Sequence, residues 1–217
     1  MCFKVLFFDL DDTLYPSAAG LWEAIRQRID LYMIERMDLQ KEIVPELRKE
    51  LFLKHGTTMR GLQARYHIDE QDFLDFVHDL PLKDYLQPDP RVRSTLEKYP
   101  QQKVIFTNAD TNHANRVILA LGLEECFDQI IDIRDIRPFC KPQLEAFHKA
   151  LHLAGVKDPA GCVMIDDAQR NLQAAHEAGL FTIQIGECDC PPGIDASISS
   201  LLDLPKVIPY TEPALLE

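Results

Sequence analysis

Apolar residues crowd together near the start of the chain and then change their rhythm. Phe3 and Val5 to Phe8, interrupted only by Lys4, form a short run without polar alternation. Such a run reads as a strand covered on both faces, as in a parallel sheet. From Ser17 to about Leu86 the spacing becomes helical. Leu21, Ile25, Ile29, Tyr32, Met33 and Met37 recur first, then Ile43, Leu47 and Leu51, then Phe73, Leu74, Val77 and Leu80. Asp69 is placed to cap the last of these helices. No strand pattern interrupts this span, which predicts a bundle of about four helices. Pro16 marks its entry and Pro88-Asp89-Pro90 its exit.

Beyond Pro90 short apolar runs alternate with helical periods. Val92 to Tyr99 predicts a helix and Lys103 to Phe106 a strand ending at Thr107-Asn108. Ala114, Val117, Ile118 and Leu121 give the next helix a buried face, stopped by Gly122. Gln129 to Ile133 predicts a strand, and Leu144, Phe147 and Leu151 a helix with Pro142 in its first turn. Cys162 to Ile165 predicts a strand running into Asp166-Asp167. Leu172, Ala175 and Ala178 form a helix closed by Gly179, followed by a strand from Phe181 to Ile185. Strands alternating with helices imply βαβ units, hence an α/β fold built on an open, doubly wound parallel sheet. The expected division is a catalytic core from residues 1–15 and 88–217, with a helical module over 16–87 inserted after the first strand. A module entered and left through short linkers beside that strand is suited to be a lid, or cap.

The first strand leads straight into Asp9, Asp11 and Asp12. Two like charges about 4 Å apart repel by roughly 4 kcal/mol at an effective dielectric of about 20. A hard cation with oxygen ligands, most simply Mg²⁺, removes that penalty. The carboxyl edge of an open α/β sheet is also where ligands bind. Extended backbone alternates its side chains, which predicts that Asp9 and Asp11 face one place while Asp12 faces away. Thr107, Lys141 and the Asp166-Asp167 pair fall at the same predicted edge. Taken singly, they could be a strand-end hydroxyl, a solvated lysine and a helix cap. Together with Asp9 and Asp11 they supply a nucleophile, an acid/base, a phosphate-holding hydroxyl, a counter-charge and further metal ligands.

Composition narrows the partners. The 217 residues carry a net charge of −12 and no basic stripe, which argues against a nucleic-acid polymer. No apolar run approaches a membrane span, and the N-terminal run reads as a buried strand rather than a signal peptide. The six cysteines then read as reduced thiols of a cytoplasmic protein. Cys188-Asp189-Cys190 lacks the second pair that a zinc site needs. His148 and His152, four apart, lack the intervening glutamate of a metalloprotease helix; His148 is expected on the apolar face of its helix. Trp22 is expected in the core, and His113 at an exposed helix start. Tyr15, Trp22 and Arg26 lie where a cap could meet a leaving group.

In order and context, Asp9-Leu10-Asp11-Asp12-Thr13-Leu14, Thr107-Asn108, Lys141-Pro142 and Asp166-Asp167 resemble the four motifs of the haloacid dehalogenase-like (HAD) phosphohydrolase superfamily. The resemblance covers essentially the whole chain and implies a Rossmann-like core, with the helical insertion standing where that family places its cap. Within the superfamily, Phe8 to Pro16 and Phe106-Thr107-Asn108-Ala109, followed by His113-Ala114 and Arg116, are similar to the pyrimidine 5′-nucleotidase branch. That branch often has Asn where this chain has Asp12, and Ser where it has Ala168.

The resemblance implies a Mg²⁺-dependent phosphomonoesterase acting on a small phosphorylated metabolite, in the first reading a (pyrimidine) nucleoside 5′-monophosphate. Asp9 would attack phosphorus to give an aspartyl-phosphate, and Asp11 would serve as general acid and then base. Thr107 and Asn108 would hold the phosphoryl oxygens with Lys141, which also tethers Asp9 to an acid of the Asp166-Asp167 pair. Asp9, Asp11, Asp166 and Asp167 form the expected metal shell; which of the last two binds directly stays open. The second acid, Asp11, favours phosphoester cleavage over carbon–halogen hydrolysis, because a departing halide needs no proton. Three alternatives stand beside this reading: a broad sugar-phosphate phosphatase, a phosphotransferase and a binding module without turnover.

Overall fold

A computed structural model of the chain describes residues 3–186, 190 and 192–210. Val5–Phe8 form β1, with all four side chains buried. Their alternation sorts them onto two faces. Leu6 and Phe8 enter one apolar cluster with Ile105, Val163, Ile165 and Ile183. Val5 and Phe7 enter a second cluster with Val104, Phe106, Cys162 and Met164. A strand covered on both faces belongs inside a sheet, and β1 lies there. It pairs in parallel with β2 (Gln102–Phe106) on one side and β4 (Cys162–Asp166) on the other. Leu6 sits opposite both Lys103 and Val163. β3 (Gln129–Ile131), β5 (Phe181–Ile185) and β6 (Ala196–Ile198) extend the sheet to the order β3-β2-β1-β4-β5-β6.

Four helices separate β1 from the next part of the core: α1 (Leu21–Glu35), α2 (Val44–His55), α3 (Thr58–Tyr66) and α4 (Glu70–His78). Their buried residues join the cluster that contains Leu6 and Phe8. Tyr32 of α1 meets Phe73 and Phe76 of α4 edge-on, with ring centroids 5.0 and 5.4 Å apart. Gly61 lets α3 approach α2: a Cβ there would stand 2.6 Å from Leu51 Cβ. The Asp69 carboxylate caps α4 by accepting from the Asp72 N–H at 2.8 Å, as expected. The remaining helices are α5 (Pro90–Glu97), α6 (Thr111–Leu121), α7 (Leu144–Leu153), α8 (Gln169–Glu177) and α9 (Leu204–Val207). Gly122 ends α6 in the left-handed region at φ 67°, the role its position predicts. Among the described residues, no helix is long and apolar enough to cross a membrane.

Several expectations need correction. Pro142 is not in the first turn of α7, which starts at Leu144 with Gln143 as its cap residue. Asn108 instead holds the Lys141 backbone as loop, accepting from the Lys141 N–H at 2.9 Å and donating to its carbonyl at 3.0 Å. Trp22 is 42% exposed rather than core, because the inner stripe of α1 runs through Leu21, Ile25 and Ile29. His148 is exposed, since the inner face of α7 centres on Ala146, Phe147, Ala150 and Leu151. α1 ends before Met37, and β3 ends before Ile133.

Candidate active site

Each strand of the central trio delivers a polar group at its carboxyl end. The Asp9 N–H donates to the Ile165 carbonyl at 2.9 Å, which prolongs the β1–β4 pairing by one residue. The chain then turns. The Leu14 N–H donates to the Leu10 carbonyl at 3.0 Å, and Asp12 takes a left-handed φ of 58°. The expected extended alternation of Asp9, Asp11 and Asp12 therefore does not hold past Asp9; a turn sets their directions. Thr107 continues β2, its N–H donating to the Ile131 carbonyl at 3.1 Å. The Thr107 Oγ1 accepts from the Ala109 N–H at 3.0 Å, and that hydroxyl keeps its own proton to donate elsewhere.

Lys141 is 1% exposed, and its Nζ donates to Asp9 Oδ1 at 2.7 Å and to Asp166 Oδ2 at 2.9 Å. Asp166 is fully engaged. Its Oδ1 accepts from the Ala168 N–H at 2.9 Å and from Asn171 Nδ2 at 3.0 Å, while Asn171 also reaches Oδ2 at 3.0 Å. Asp167 is freer, with a long 3.4 Å contact from the Thr13 hydroxyl. Asp9, Asp166 and Asp167 each offer an oxygen, and the three lie within 4.8 Å of one another. One ammonium cannot balance three carboxylates. Burial drives the Asp9 carboxyl well above its usual range; Lys141 opposes this, while Asp166 and Asp167 reinforce it. Burial, then Asp166, push Asp167 up to about 7 against the pull of Lys141. Burial works against charge on Lys141, but Asp166 and Asp9 outweigh it and raise its pKa. Such a cluster of hard oxygen donors with excess negative charge fits a divalent cation of the Mg²⁺ kind.

Asp11 points to other partners. Its Oδ1 accepts from the Tyr15 hydroxyl at 2.6 Å and lies 3.0 Å from His113 Nε2. Burial raises the Asp11 pKa, yet His113, Tyr15 and His78 together pull it below its ordinary value. The Asp11 carboxylate is not among the three that converge as a metal-binding group. His113, expected at an exposed helix start, is 1% exposed, because its ring turns inward to Asp11 and stacks on His78. The signal was present: His113 is one helical turn before Val117, on the inner stripe of α6. Of the Cys188-Asp189-Cys190 stretch, Cys188 and Asp189 lie outside the described residues and Cys190 is exposed.

The raised carboxyls imply a pH dependence. Asp167 moves from an ordinary 3.8 to about 7, so the folded chain holds a proton that the unfolded chain has lost between these values. The stability from that proton is complete in acid and disappears as pH rises from about 4 to about 7, by at most about 1.4 kcal/mol per pH unit. In chelator, the melting temperature of the parent chain is expected to fall relative to that of Asp167→Asn over this window. Added Mg²⁺, which selects the carboxylate, should flatten the difference. Parallel melting curves for the two chains would refute this.

The sequence model of the family described as haloacid dehalogenase-like hydrolase matches residues 3–179. Phosphate metabolism protein 8 of Saccharomyces cerevisiae is 29% identical over 191 residues, which cover 82% of this chain and 60% of that protein. The chain thus spans less than two thirds of that relative's length. Glyceraldehyde 3-phosphate phosphatase of Methanopyrus kandleri is 28% identical over 197 residues, covering 84% of this chain and 83% of that one. In fold, the chain is similar to a HAD phosphatase from Thermococcus onnurineus, with a TM-score of 0.65 at 19% identity over 97% of this chain and 100% of that one. With the family match spanning most of the sequence and the six-stranded parallel sheet beneath it, the chain belongs to the haloacid dehalogenase-like hydrolases.

Proposed function

We propose that this chain is a Mg²⁺-dependent phosphomonoesterase whose nucleophile is Asp9. The observation that carries this reading is the Lys141 bridge between Asp9 and Asp166 beside the freer Asp167, with Asp11 separately held two residues along. Asp9 and Asp167 would hold the ion, with Asp166 braced behind them by Lys141 and Asn171. When bound, Mg²⁺ supplies charge neutralisation for a phosphate dianion. Lys141 keeps one Asp9 oxygen fixed and leaves the other to attack phosphorus. The bond to the ester oxygen breaks as the Asp9–phosphorus bond forms, and Asp11 gives that oxygen its proton. Asp11 then takes a proton from the water that attacks the aspartyl-phosphate, restoring the Asp9 carboxylate and releasing phosphate. Its depressed pKa suits the second, basic step; the approach of a dianion raises it toward the protonated form needed first. The Thr107 hydroxyl and nearby backbone N–H groups hold phosphoryl oxygens. Asn108 contributes through its grip on the Lys141 loop.

The helices over 16–87 are proposed as the cap. The turn between α2 and α3 already abuts the Lys141 loop: a Cβ on Gly56 would stand 2.7 Å from Cys140 Sγ and 3.2 Å from the Lys141 carbonyl. Arg170 of the core donates to the Gly56 carbonyl at 2.9 Å, and Arg60 of α3 donates to that of Ile133 at 2.7 Å. For substrate, the stretches Phe8 to Pro16 and Phe106 to Ala109 support a pyrimidine nucleoside 5′-monophosphate. A sugar phosphate is the second reading. It is favoured by relatives named glyceraldehyde 3-phosphate phosphatase, fructose-1-phosphate phosphatase YqaB of Escherichia coli and beta-phosphoglucomutase of Bacillus subtilis. The last of these keeps a phosphotransferase outcome in view. The free thiols of Cys126, Cys140 and Cys162 fit the proposed cytoplasmic setting.

Phosphate release across nucleotides, sugar phosphates and amino-acid phosphates tests the reading. A preference for UMP and CMP is expected, with activity lost in EDTA and restored by Mg²⁺. Preference for sugar phosphates would select the second reading. No release from any compound would leave a phosphate-binding module, and full activity in chelator would remove the metal from the account.

A further inference from the structure

The two donors on Asp11 share one oxygen. Tyr15 and His113 both meet Oδ1, and among the described residues no hydrogen bond reaches Oδ2. A carboxyl pinned through one oxygen by two donors from different directions presents the other in a fixed direction. Tyr15 follows Asp11 in the same turn and moves with it. His113 belongs to α6, an element of the core, and so fixes Asp11 to the sheet.

The same helix grips the end of the insertion. One turn past His113, Arg116 donates to the carbonyls of His78 and Leu80, each at 2.7 Å. His78 is the last residue of α4, and its ring stacks on that of His113 with centroids 4.0 Å apart and planes 16° from parallel. The far edge of the His78 ring is met by Asp110, the cap residue of α6, with 3.2 Å between Nδ1 and Oδ1. The His113 Nδ1 is buried and bonded to nothing among the described residues, so the ring's position rests on its Asp11 contact and its stack. Any displacement of the end of α4 removes the surface against which His113 lies.

Granting the phosphatase reading, the geometry points to His113 as the positioning residue that aims Asp11 Oδ2 at the departing ester oxygen, and to its stack on His78 as the contact through which the helical insertion sets that aim. The aim matters most when the leaving group needs a proton. An alkyl phosphate needs one; p-nitrophenyl phosphate, whose phenolate leaves unaided, does not.

The test compares the two leaving groups in His113→Ala and His113→Gln. With the best alkyl phosphate of the substrate panel, His113→Ala is expected to lose about 30-fold in kcat with KM within about threefold, the scale of a misaimed acid. The first-turnover burst of nitrophenolate should stay within about threefold of the parent chain, because Asp9 still attacks. A slow steady state should follow, since Asp11 is also needed to hydrolyse the aspartyl-phosphate. Gln, whose side-chain amide can stand where Nε2–H stood, should recover most of the alkyl rate. Equal losses on burst and alkyl turnover, or no loss on either, in protein with the parent melting temperature would overturn the assignment. Should His113→Ala not fold, His78→Ala against His78→Phe carries the same comparison: Phe keeps the stacking face and should keep the alkyl rate, and equal rates would overturn the proposal. A parent chain that releases no phosphate, or an Asp9→Asn chain that releases it normally, would defeat the phosphatase reading itself, and both show before any histidine variant is measured.

Discussion

Asp9→Asn is expected to cut phosphate release by at least about 10⁴-fold while leaving a folded chain. An amide oxygen is too weak a nucleophile to form the acyl-phosphate, so the loss is of the chemical step itself. The fold should tolerate the change. Asp9 carries a carboxyl whose ionisation burial opposes, and its neutral replacement lies beside two further acids that repelled it. Lys141 retains Asp166 as a partner at 2.9 Å. Initial rates on the best substrate, together with thermal melts followed by circular dichroism, decide the matter. A folded Asp9→Asn chain with parent turnover would remove Asp9 from the chemistry, and an unfolded one would make it structural first.

Lys141→Met should reverse that balance and strike stability hardest. Lys141 is among the largest fully buried side chains, and both its partners are carboxylates. Removing one member of a buried ion pair leaves uncompensated charge and costs about 3–5 kcal/mol. For a chain of this length that is a fall in melting temperature of roughly 10 °C. The sign with pH follows from the carboxylates left behind. With the ammonium gone, the Asp9 carboxyl, already raised by burial, rises further above its unfolded value, so the deficit should shrink in acid and widen toward neutrality. Mg²⁺ should recover part of the loss in stability, whereas turnover should stay low because Asp9 is no longer aimed. A variant as stable as the parent at neutral pH would show that Lys141 carries no structural charge balance.

The parts legible in the sequence were those fixed by local pattern. The uninterrupted apolar run of Val5 to Phe8 reads as an inner strand, and Gly122 and Asp69 sit at helix ends where their backbone and side-chain chemistry place them. α3 left little trace because its buried face is short, with Thr58, Met59, Gly61 and Leu62, and its sequence is otherwise polar. β6 has three residues and no apolar run. The direction of Asp12 depended on a left-handed turn that spacing cannot show. The burial of His113 follows from its place on the inner stripe of α6, one turn before Val117, but its partner Asp11 lies about a hundred positions away in sequence. Only the fold brings the two together. The Lys141 bridge, by contrast, matches what the resemblance of these motifs to the superfamily implied.

The placement of β1 has a consequence for synthesis on the ribosome. Its Leu6 pairs with Lys103 and Val163, so β1 emerges well before either of its neighbours. The helices of residues 21–78 contact one another locally and can form within microseconds of emerging. β1 must wait as an unpaired apolar segment until β2, and then β4, has been made. The nascent chain thus carries locally formed helices beside an exposed strand, the kind of segment that chaperones cover and that aggregates when they do not.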